Sequence, residues 1–154
     1  MSPAGSRHCV VLDTNVVLDL LQFRDPRVAG LANALLDGRV RALTDSRCAA
    51  ELERVLSYAA FSLDQAARAE VMRQYRASVA DSGLTEAEDA RHLPSCSDPD
   101  DQKFLELAWR TGADLLTRDK ALLGLRRGFA KLGGGRIGKP EELYPHLLSA
   151  IRLA

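Results

Sequence analysis

Four acidic residues stand where a chain of buried strands and amphipathic helices has little need of them. Asp13 interrupts the apolar run CVVLDTNVVLDLL, and a carboxylate between two buried segments is costly unless a partner compensates it. Asp119 follows the short apolar run ADLLT, so two candidate strands each end in an aspartate. Glu51 borders the apolar stripe of one helical pattern, and Asp101 falls inside the apolar stripe of another. These four residues are therefore candidates for a shared chemical task.

Each acid also has an ordinary structural interpretation. Asp119 and Asp13 are each placed to cap the helix that follows them. Asp98 with an acid at position 101 resembles a capping box near the positive end of a helix dipole. Glu51 is also compatible with an exposed position on its helix. The combination favours a common site, because three acids stand at strand ends or helix starts and the fourth lies on a helix after a strand.

Converging carboxylates need a cation. Two unit charges ~4 Å apart repel by about 4 kcal/mol at an effective dielectric constant of 20. Magnesium and manganese prefer carboxylate and water oxygens, so they would remove this repulsion. A carboxylate-bound metal pair suits phosphodiester hydrolysis, because it activates a water molecule and stabilises the leaving oxygen in an in-line displacement. An aspartyl-phosphate enzyme usually has a second aspartate two residues after the first, where Asn15 stands, so that chemistry is disfavoured.

The elements that must position these acids alternate along the chain. Short apolar runs at 8–12, 40–44 and 113–117 predict strands, with an edge strand near Ile137. The acidic residues 85–97 are expected to be mostly loop, with room for a short strand near His92 and Leu93. Helical patterns cover about 16–23, 26–38, 45–58, 63–83, 98–112 and 119–125, and a last helix starts around Pro140. This order predicts a parallel sheet with helices on both faces, whose sites form at the carboxyl ends of the strands.

The whole chain indicates one ordinary globular domain. Its 154 residues carry no net charge, and its three cysteines form neither a disulfide framework nor a zinc pattern. No apolar run reaches the ~18 residues of a membrane span, and the first residues lack the apolar core of a signal peptide. We expect an N-terminal tail at 1–7, a single domain at 8–154 and a reducing cytoplasm as the compartment.

Charge is unevenly distributed along the chain. Eight bases stand against two acids between Arg110 and Lys139, whereas seven acids stand against one base between Asp81 and Asp101. A local basic stretch can bind phosphates even when the whole chain is neutral. A solvated surface with uneven charge is an equally good interpretation.

At this point the sequence resembles the PIN-domain family of metal-dependent ribonucleases. The matching pieces are VVLDTNVVLDLL, DSRCAAELERVL, DPDDQKFLELAWRTGADLLTRDKALL and GKPEELYPHL, which run with gaps as far as Leu147. Their joint order and spacing are more specific than any one of them. The resemblance is greatest to a bacterial group described as toxin components of toxin–antitoxin systems.

The resemblance implies a fold, an activity and a set of site residues. The fold is a three-layer, doubly wound α/β/α fold with a central, mostly parallel sheet of four to five strands. The activity is cleavage of RNA with one or two Mg²⁺ or Mn²⁺ ions. The implied metal ligands are Asp13, Glu51, Asp101 and Asp119, with Asp98 as a further candidate.

Polar neighbours of these acids also match the family pattern. The resemblance implies that Asn15, Thr14 and Thr117 orient the carboxylates. Arg118 stands where the family often has glycine, and with Lys120 it is a candidate for contact with a substrate phosphate. Two further departures are Asp45, where a small hydroxyl residue is common, and LGGGRIG, which is looser than the usual last strand. None of these departures removes an acid.

Three functions remain open from the sequence. The first is a metal-dependent endoribonuclease that acts as a toxin held by a small antitoxin protein. The second is a PIN-like RNA-processing nuclease without an antitoxin, and the third is a non-catalytic RNA-binding or interaction module on the same fold. Four intact acids argue against the third. The expected partners are single-stranded or structured RNA, an antitoxin and a second copy of the chain, with no membrane.

Overall fold

Five parallel strands form the centre of the structure. The computed structural model describes residues 8–84 and 92–145, so the predicted tail at 1–7 lies outside the described residues. In this part of the chain the strands are β1 (His8–Leu12), β2 (Val40–Thr44), β3 (Val79–Asp81), β4 (Asp114–Leu116) and β5 (Ile137–Gly138). The helices are α1 (Thr14–Leu18), α2 (Ala29–Leu36), α3 (Ser46–Leu56), α4 (Gln65–Ser78), α5 (Gln102–Thr111), α6 (Lys120–Leu123), α7 (Arg126–Lys131) and α8 (Pro140–Leu143).

The sheet is doubly wound around β1. The strand order is β3-β2-β1-β4-β5, and all four neighbouring pairs are parallel. The chain winds outward from β1 through β2 to β3, then crosses back to β4 and β5. The direction reverses between β1 and β4, and such a switch point is where a doubly wound sheet opens a crevice at the carboxyl ends of its strands.

The strands are buried on both faces by helices. Val10 and Leu12 of β1 join one apolar cluster with side chains of α1, α2 and α4, whereas Val11 joins a second cluster with α5, α6 and α7. This alternation follows from the two-residue period of a strand. The structure confirms the expected three-layer α/β/α fold.

The first helix starts earlier than its apolar pattern predicted. It begins at Thr14 because Asp13 caps it, and the Asp13 side chain accepts a hydrogen bond from the backbone N–H of Asn15. After Leu18 the helix widens into a π turn, which ends where Arg24 adopts a left-handed conformation with φ of 50°. Short 3₁₀ turns also precede α2 (Pro26–Val28), follow α3 (Ala59–Phe61) and precede α5 (Pro99–Asp101).

Two predictions around β3 were wrong. The helix predicted over 63–83 ends at Ser78, and residues 79–81 form a strand that pairs with β2, with Ala42 opposite Val79. The free edge of β2 offers unpaired backbone groups, and β-branched Val79 suits a strand that satisfies them. The strand predicted near His92 and Leu93 is absent from residues 92–97, and the preceding residues 85–91 lie outside the described part.

The Gly-rich segment forms a close turn onto β4. Gly133 has φ of 92°, which favours glycine, and a Cβ at Gly135 would lie 2.6 Å from the carbonyl oxygen of Ala113. The chain then pairs as β5, in agreement with the predicted edge strand near Ile137. Helix α7, which precedes this turn, was not predicted from the sequence. The predicted last helix begins at Pro140, and residues 146–154 lie outside the described residues.

A buried carboxylate ties together the amino-terminal edge of the sheet. Asp114 at the start of β4 is 3% exposed, and its Oδ2 lies 2.6 Å from Nε2 of His8. It also accepts hydrogen bonds from the backbone N–H of Arg136 at 2.7 Å and from its guanidinium at 2.8 and 3.0 Å. Although burial acts to raise the pKa of Asp114, the hydrogen bonds from His8 and Arg136 outweigh it and lower the pKa.

We expect Asp114→Asn to lower the free energy of unfolding by about 2 kcal/mol at pH 6, because hydrogen bonds to a charged group are lost. The pKa of Asp114 is lower in the folded protein than its unfolded value of 3.8, so the ionised carboxylate stabilises the folded state above pH 3.8. This contribution is lost as the pH falls through the folded pKa. The difference from wild type should therefore shrink below pH ~3.8, as urea unfolding at two pH values would show. Asp37→Asn, which breaks only an exposed 3.3 Å pair with Arg39, is the control. An equal loss at both pH values would contradict the charged interaction.

Candidate active site

Four acidic side chains interact at the carboxyl edge of the sheet. Asp13 follows β1, Asp119 follows β4, Glu51 lies on α3, and Asp101 ends the turn before α5. Burial, followed in order of effect by the negative charges of Asp13, Asp119, Asp98 and Glu51, raises the pKa of Asp101 to about 7. The structure therefore places all four of these acids at one edge of the sheet, where the charges of the other three act on Asp101.

Asp13 is only partly compensated within the chain. It is 4% exposed, its Oδ1 accepts from the backbone N–H of Asn15 at 3.0 Å, and its Oδ2 accepts from the Thr117 hydroxyl at 2.6 Å. Burial raises its pKa, these two hydrogen bonds lower it, and nearby Asp119 and Glu51 raise it, with a net upward shift. The side chain of Asn15 is exposed, so this residue orients Asp13 through its backbone.

Thr117 connects the tips of β1 and β4. Its buried hydroxyl donates to Asp13 and accepts from the backbone N–H of Asp119 at 3.0 Å. Asp119 uses Oδ1 to cap α6 through the backbone N–H groups of Ala121 and Leu122, at 2.7 and 3.2 Å. Capping and participation in the acidic cluster are therefore compatible for Asp119.

Glu51 is held by two side chains. The Thr14 hydroxyl donates to its Oε2, and the Lys103 ammonium donates to its Oε1 at 2.7 Å. Arg54, on the same helix, lies further away at 3.6 Å. Glu51 is 9% exposed, so it belongs to the interior and not to the solvated face of α3. Thr14 thus orients Glu51, whereas the sequence placed it beside Asp13.

Lys103 was missed by the sequence reasoning, although a signal was present. It lies in the first turn of α5, where only Gln102 separates it from the last acid of DPDD. A positive charge near the amino terminus of a helix is opposed by the helix dipole. A lysine at that position therefore indicates a carboxylate partner elsewhere in the fold, which the structure identifies as Glu51.

The turn before α5 contains one acid that caps it and another that does not. Asp98 is exposed and caps the turn, accepting from the backbone N–H of Asp100 at 2.9 Å. Asp101 makes no side-chain capping hydrogen bond to α5, so its carboxylate is not committed to the helix start. Asp98 still contributes charge to the cluster, after Asp13 and Asp119 in its effect on Asp101.

Arg118 is already paired with protein carboxylates. Its Nε donates to Asp19 at 3.1 Å and its Nη1 to Glu141 at 2.6 Å, and the side chain is only 17% exposed. The predicted contact of Arg118 with a substrate phosphate would have to compete with these ion pairs, and it stays a prediction. Lys120, by contrast, is exposed at the start of α6. Asp45 caps α3 through the backbone N–H of Cys48 at 2.9 Å.

The donor set suits a hard divalent cation. No group of three or more Asp, Glu, His or Cys side chains within residues 8–84 and 92–145 is gathered closely enough to hold an ion as it stands. The four candidate donors are nevertheless all carboxylates, which Mg²⁺ and Mn²⁺ prefer. Burial first, and then the neighbouring negative charges, raise the pKa values of Asp13 and Asp101, so the described protein groups do not fully stabilise the ionised forms.

Comparison with known proteins identifies one family. A family model described as PIN domain matches residues 9–121, which is well over half of the chain and includes all four acids. None of the curated proteins compared with the chain matches it. Among the described residues, no helix is long and apolar enough to cross a membrane.

Proposed function

The chain belongs to the PIN domain family, and on that basis we propose that it is a metal-dependent endoribonuclease that hydrolyses phosphodiester bonds of single-stranded RNA. Members of this family are generally nucleases. The observation that carries the proposal is the position of four carboxylates at the switch point of the sheet, where the charges of Asp119 and Glu51 act on Asp13 and those of all three act on Asp101. A non-catalytic RNA-binding module has no need for converging acids, which repel both one another and an RNA backbone.

Each proposed site residue has a role that follows from its contacts. Asp13, Asp101 and Asp119 would hold Mg²⁺ or Mn²⁺. When bound, the ion would activate a water molecule and stabilise the leaving oxygen. The Thr117 hydroxyl donates to Asp13 and accepts a hydrogen bond from the backbone N–H of Asp119. It thereby fixes the tips of β1 and β4 relative to each other. Glu51 is fixed in the same way by Thr14 and Lys103.

The proposal is tested by cleavage of a fluorescently labelled single-stranded RNA. We expect cleavage with added Mg²⁺ or Mn²⁺ and none after chelation with EDTA. A double-stranded RNA of the same sequence serves as a control for the strand preference. Equal cleavage rates with the ion and with EDTA would overturn the proposed mechanism.

We further propose that the chain is the toxin of a toxin–antitoxin pair. The support is the resemblance of its sequence to the bacterial group of toxin components, and the proposed partner is a small antitoxin protein. The alternative is an RNA-processing nuclease without an antitoxin. A small reading frame beside the gene, whose product relieves growth arrest caused by this chain and abolishes its RNA cleavage, would support the toxin role. If no neighbouring gene product relieved the growth arrest, a role in RNA processing would be favoured.

Exposed bases after Asp119 are the proposed contacts for RNA phosphates. Lys120, Arg126 and Arg127 lie on α6 and α7 and are exposed. We expect their joint replacement by Ala to weaken RNA binding and to reduce the slope of log affinity against log salt by about 0.7 for each phosphate that the protein no longer neutralises. Fluorescence anisotropy at several salt concentrations measures both quantities.

The control for this prediction is Arg73→Ala. Arg73 is exposed on α4 and pairs with Glu70 at 2.6 Å, so its loss removes a surface charge elsewhere on the molecule. Arg118 is left unchanged, because its removal would also break the ion pairs with Asp19 and Glu141. An unchanged salt slope in the triple variant would show that RNA approaches another face.

A further inference from the structure

Lys103 is a fixed cation inside the acidic cluster. Its side chain is 14% exposed, and its Nζ lies 2.7 Å from Oε1 of Glu51. The same nitrogen donates to the backbone carbonyl of Asp100 and lies 5.4 Å from the centre of the Phe104 ring. A lysine held from three directions is unlike the mobile lysines of a protein surface, so its charge has a defined position in the site.

Lys103 and a divalent ion compete for the same oxygen. Both carboxylate oxygens of Glu51 accept hydrogen bonds, Oε2 from Thr14 and Oε1 from Lys103. A magnesium ion bound to Oε1 would lie about 2.1 Å from it. It would then be a close neighbour of an ammonium group that is also in contact with Oε1, and the two positive charges would repel. The Lys103 ammonium therefore opposes binding of an ion at Oε1 of Glu51 as long as it keeps this position.

The other three acids are not paired in this way. Asp13 accepts from a backbone N–H and from a hydroxyl, both neutral donors, and Asp119 accepts from backbone N–H groups. Within the two described stretches of the chain, no Lys, Arg or His side chain forms an ion pair with Asp13, Asp101 or Asp119. These three carboxylates remain open to an added cation, whereas Glu51 already has one.

We propose that the Lys103 ammonium takes the place of a second divalent ion, so that the site binds a single ion at Asp13, Asp101 and Asp119. This inference rests on the proposed metal-dependent function and refines it. Lys103 is then a positioning residue that fixes Glu51, and it provides permanently the positive charge that a second ion provides in two-metal sites. Glu51 supports the site through this pair and is not a ligand of the ion.

The test is the number of Mn²⁺ ions bound per chain, measured by isothermal titration calorimetry. We expect one ion for the wild type and two for Lys103→Met, which keeps an apolar stem beside Phe104 and leaves Glu51 with only the longer 3.6 Å pair to Arg54. Lys103→Arg, which keeps the charge, should bind one. The double variant Lys103→Met with Glu51→Gln should also return to one, because the second carboxylate is gone. No merely structural role of Lys103 predicts this pattern.

Several outcomes would overturn the assignment. Two ions in the wild type, or only one in folded Lys103→Met, would show that Lys103 does not replace an ion. Should Lys103→Met fail to fold, the single variant Glu51→Gln decides: binding of one ion supports the assignment, and loss of binding overturns it.

The calorimetric test separates this inference from the proposed function. A wild-type chain that binds one ion but cleaves no RNA would contradict the nuclease proposal and leave the role of Lys103 intact. A wild-type chain that binds no Mn²⁺ would overturn both. Cleavage that depends on two bound ions would overturn the Lys103 assignment alone.

Discussion

Asp13→Asn is expected to lower the rate of metal-dependent RNA cleavage by about a hundredfold or more, because it removes a proposed ligand of the ion that activates water. The variant should still fold. Asparagine is as good a helix cap as aspartate, and its side-chain oxygen can still accept from the backbone N–H of Asn15. The substitution also removes a buried carboxylate whose pKa is raised by burial. The measurement is the cleavage rate at saturating Mn²⁺, together with a thermal melt.

Asp64→Asn is the matched control for Asp13→Asn. Asp64 caps α4 through the backbone N–H of Ala67 at 2.7 Å, but it is exposed and outside the acidic cluster. The same chemical change at a helix cap should therefore leave the cleavage rate unaltered. If Asp13→Asn cleaved RNA as fast as the wild type, Asp13 would be a cap and a buried acid with no part in the chemistry.

The sign of the stability change in Asp101→Asn should show whether Asp101 binds a metal ion or only stabilises the start of its helix. The apo protein carries repulsion between Asp101 and its acidic neighbours, so the variant should be as stable as the wild type or more stable in chelator. Saturating metal should stabilise the wild type by about 2.7 kcal/mol at 100 times the dissociation constant, and the variant should lose most of this gain. A residue that served only the helix dipole would instead cost roughly 0.3–1 kcal/mol with or without metal.

The pH dependence of the apo protein provides a second test of Asp101. Its folded pKa of about 7 lies above the usual 3.8, so the folded state binds the proton more tightly than the unfolded state. The stability that this gives is fully present below pH 3.8 and is lost as the pH rises through about 7. In chelator, the wild type should therefore be less stable above pH 7 than below it, and Asp101→Asn should flatten this dependence.

Thermal melts with chelator and with Mn²⁺, below and above pH 7, measure both effects of Asp101→Asn. Asp98→Asn is the matched variant, because Asp98 is exposed and its cap is preserved by asparagine. It should keep most of the metal-induced shift. Equal shifts in the wild type and in Asp101→Asn would remove Asp101 from the site and make Asp98 the better candidate for the third acid.

Local patterns determined most of the elements and the edge at which the acids gather. The apolar runs of β1 and β2 and the stripe of α5 are readable from short windows of sequence, because strand and helix periods are local properties. Once the alternation of strands and helices fixes a parallel sheet, an acid that follows a strand must lie at its carboxyl edge. Asp13 and Asp119 were placed correctly for this reason.

The edge strand β3 forms because of its pairing with β2 and not because of its local sequence pattern. Residues 63–83 read as one helix, yet the last residues of that segment pair with β2 and form β3. The gain comes from satisfying backbone groups of a strand nearly forty positions earlier, and no short window contains that information. Helix α7 likewise packs Phe129 into a core built by distant residues, whereas three of its own six residues are charged.

The ion pairs at the site were also decided by tertiary structure. The sequence placed Glu51 on the border of an apolar stripe, but its partner Lys103 is 52 positions away, and Arg118 finds Asp19 across 99 positions. Such pairs form because burial makes an unpaired charge costly, so each charge is stabilised by an opposite one that the fold brings within reach. The sequence by itself therefore determined the edge of the sheet at which the acids lie, and only the tertiary structure decided which of them has an ion-pair partner among the described residues.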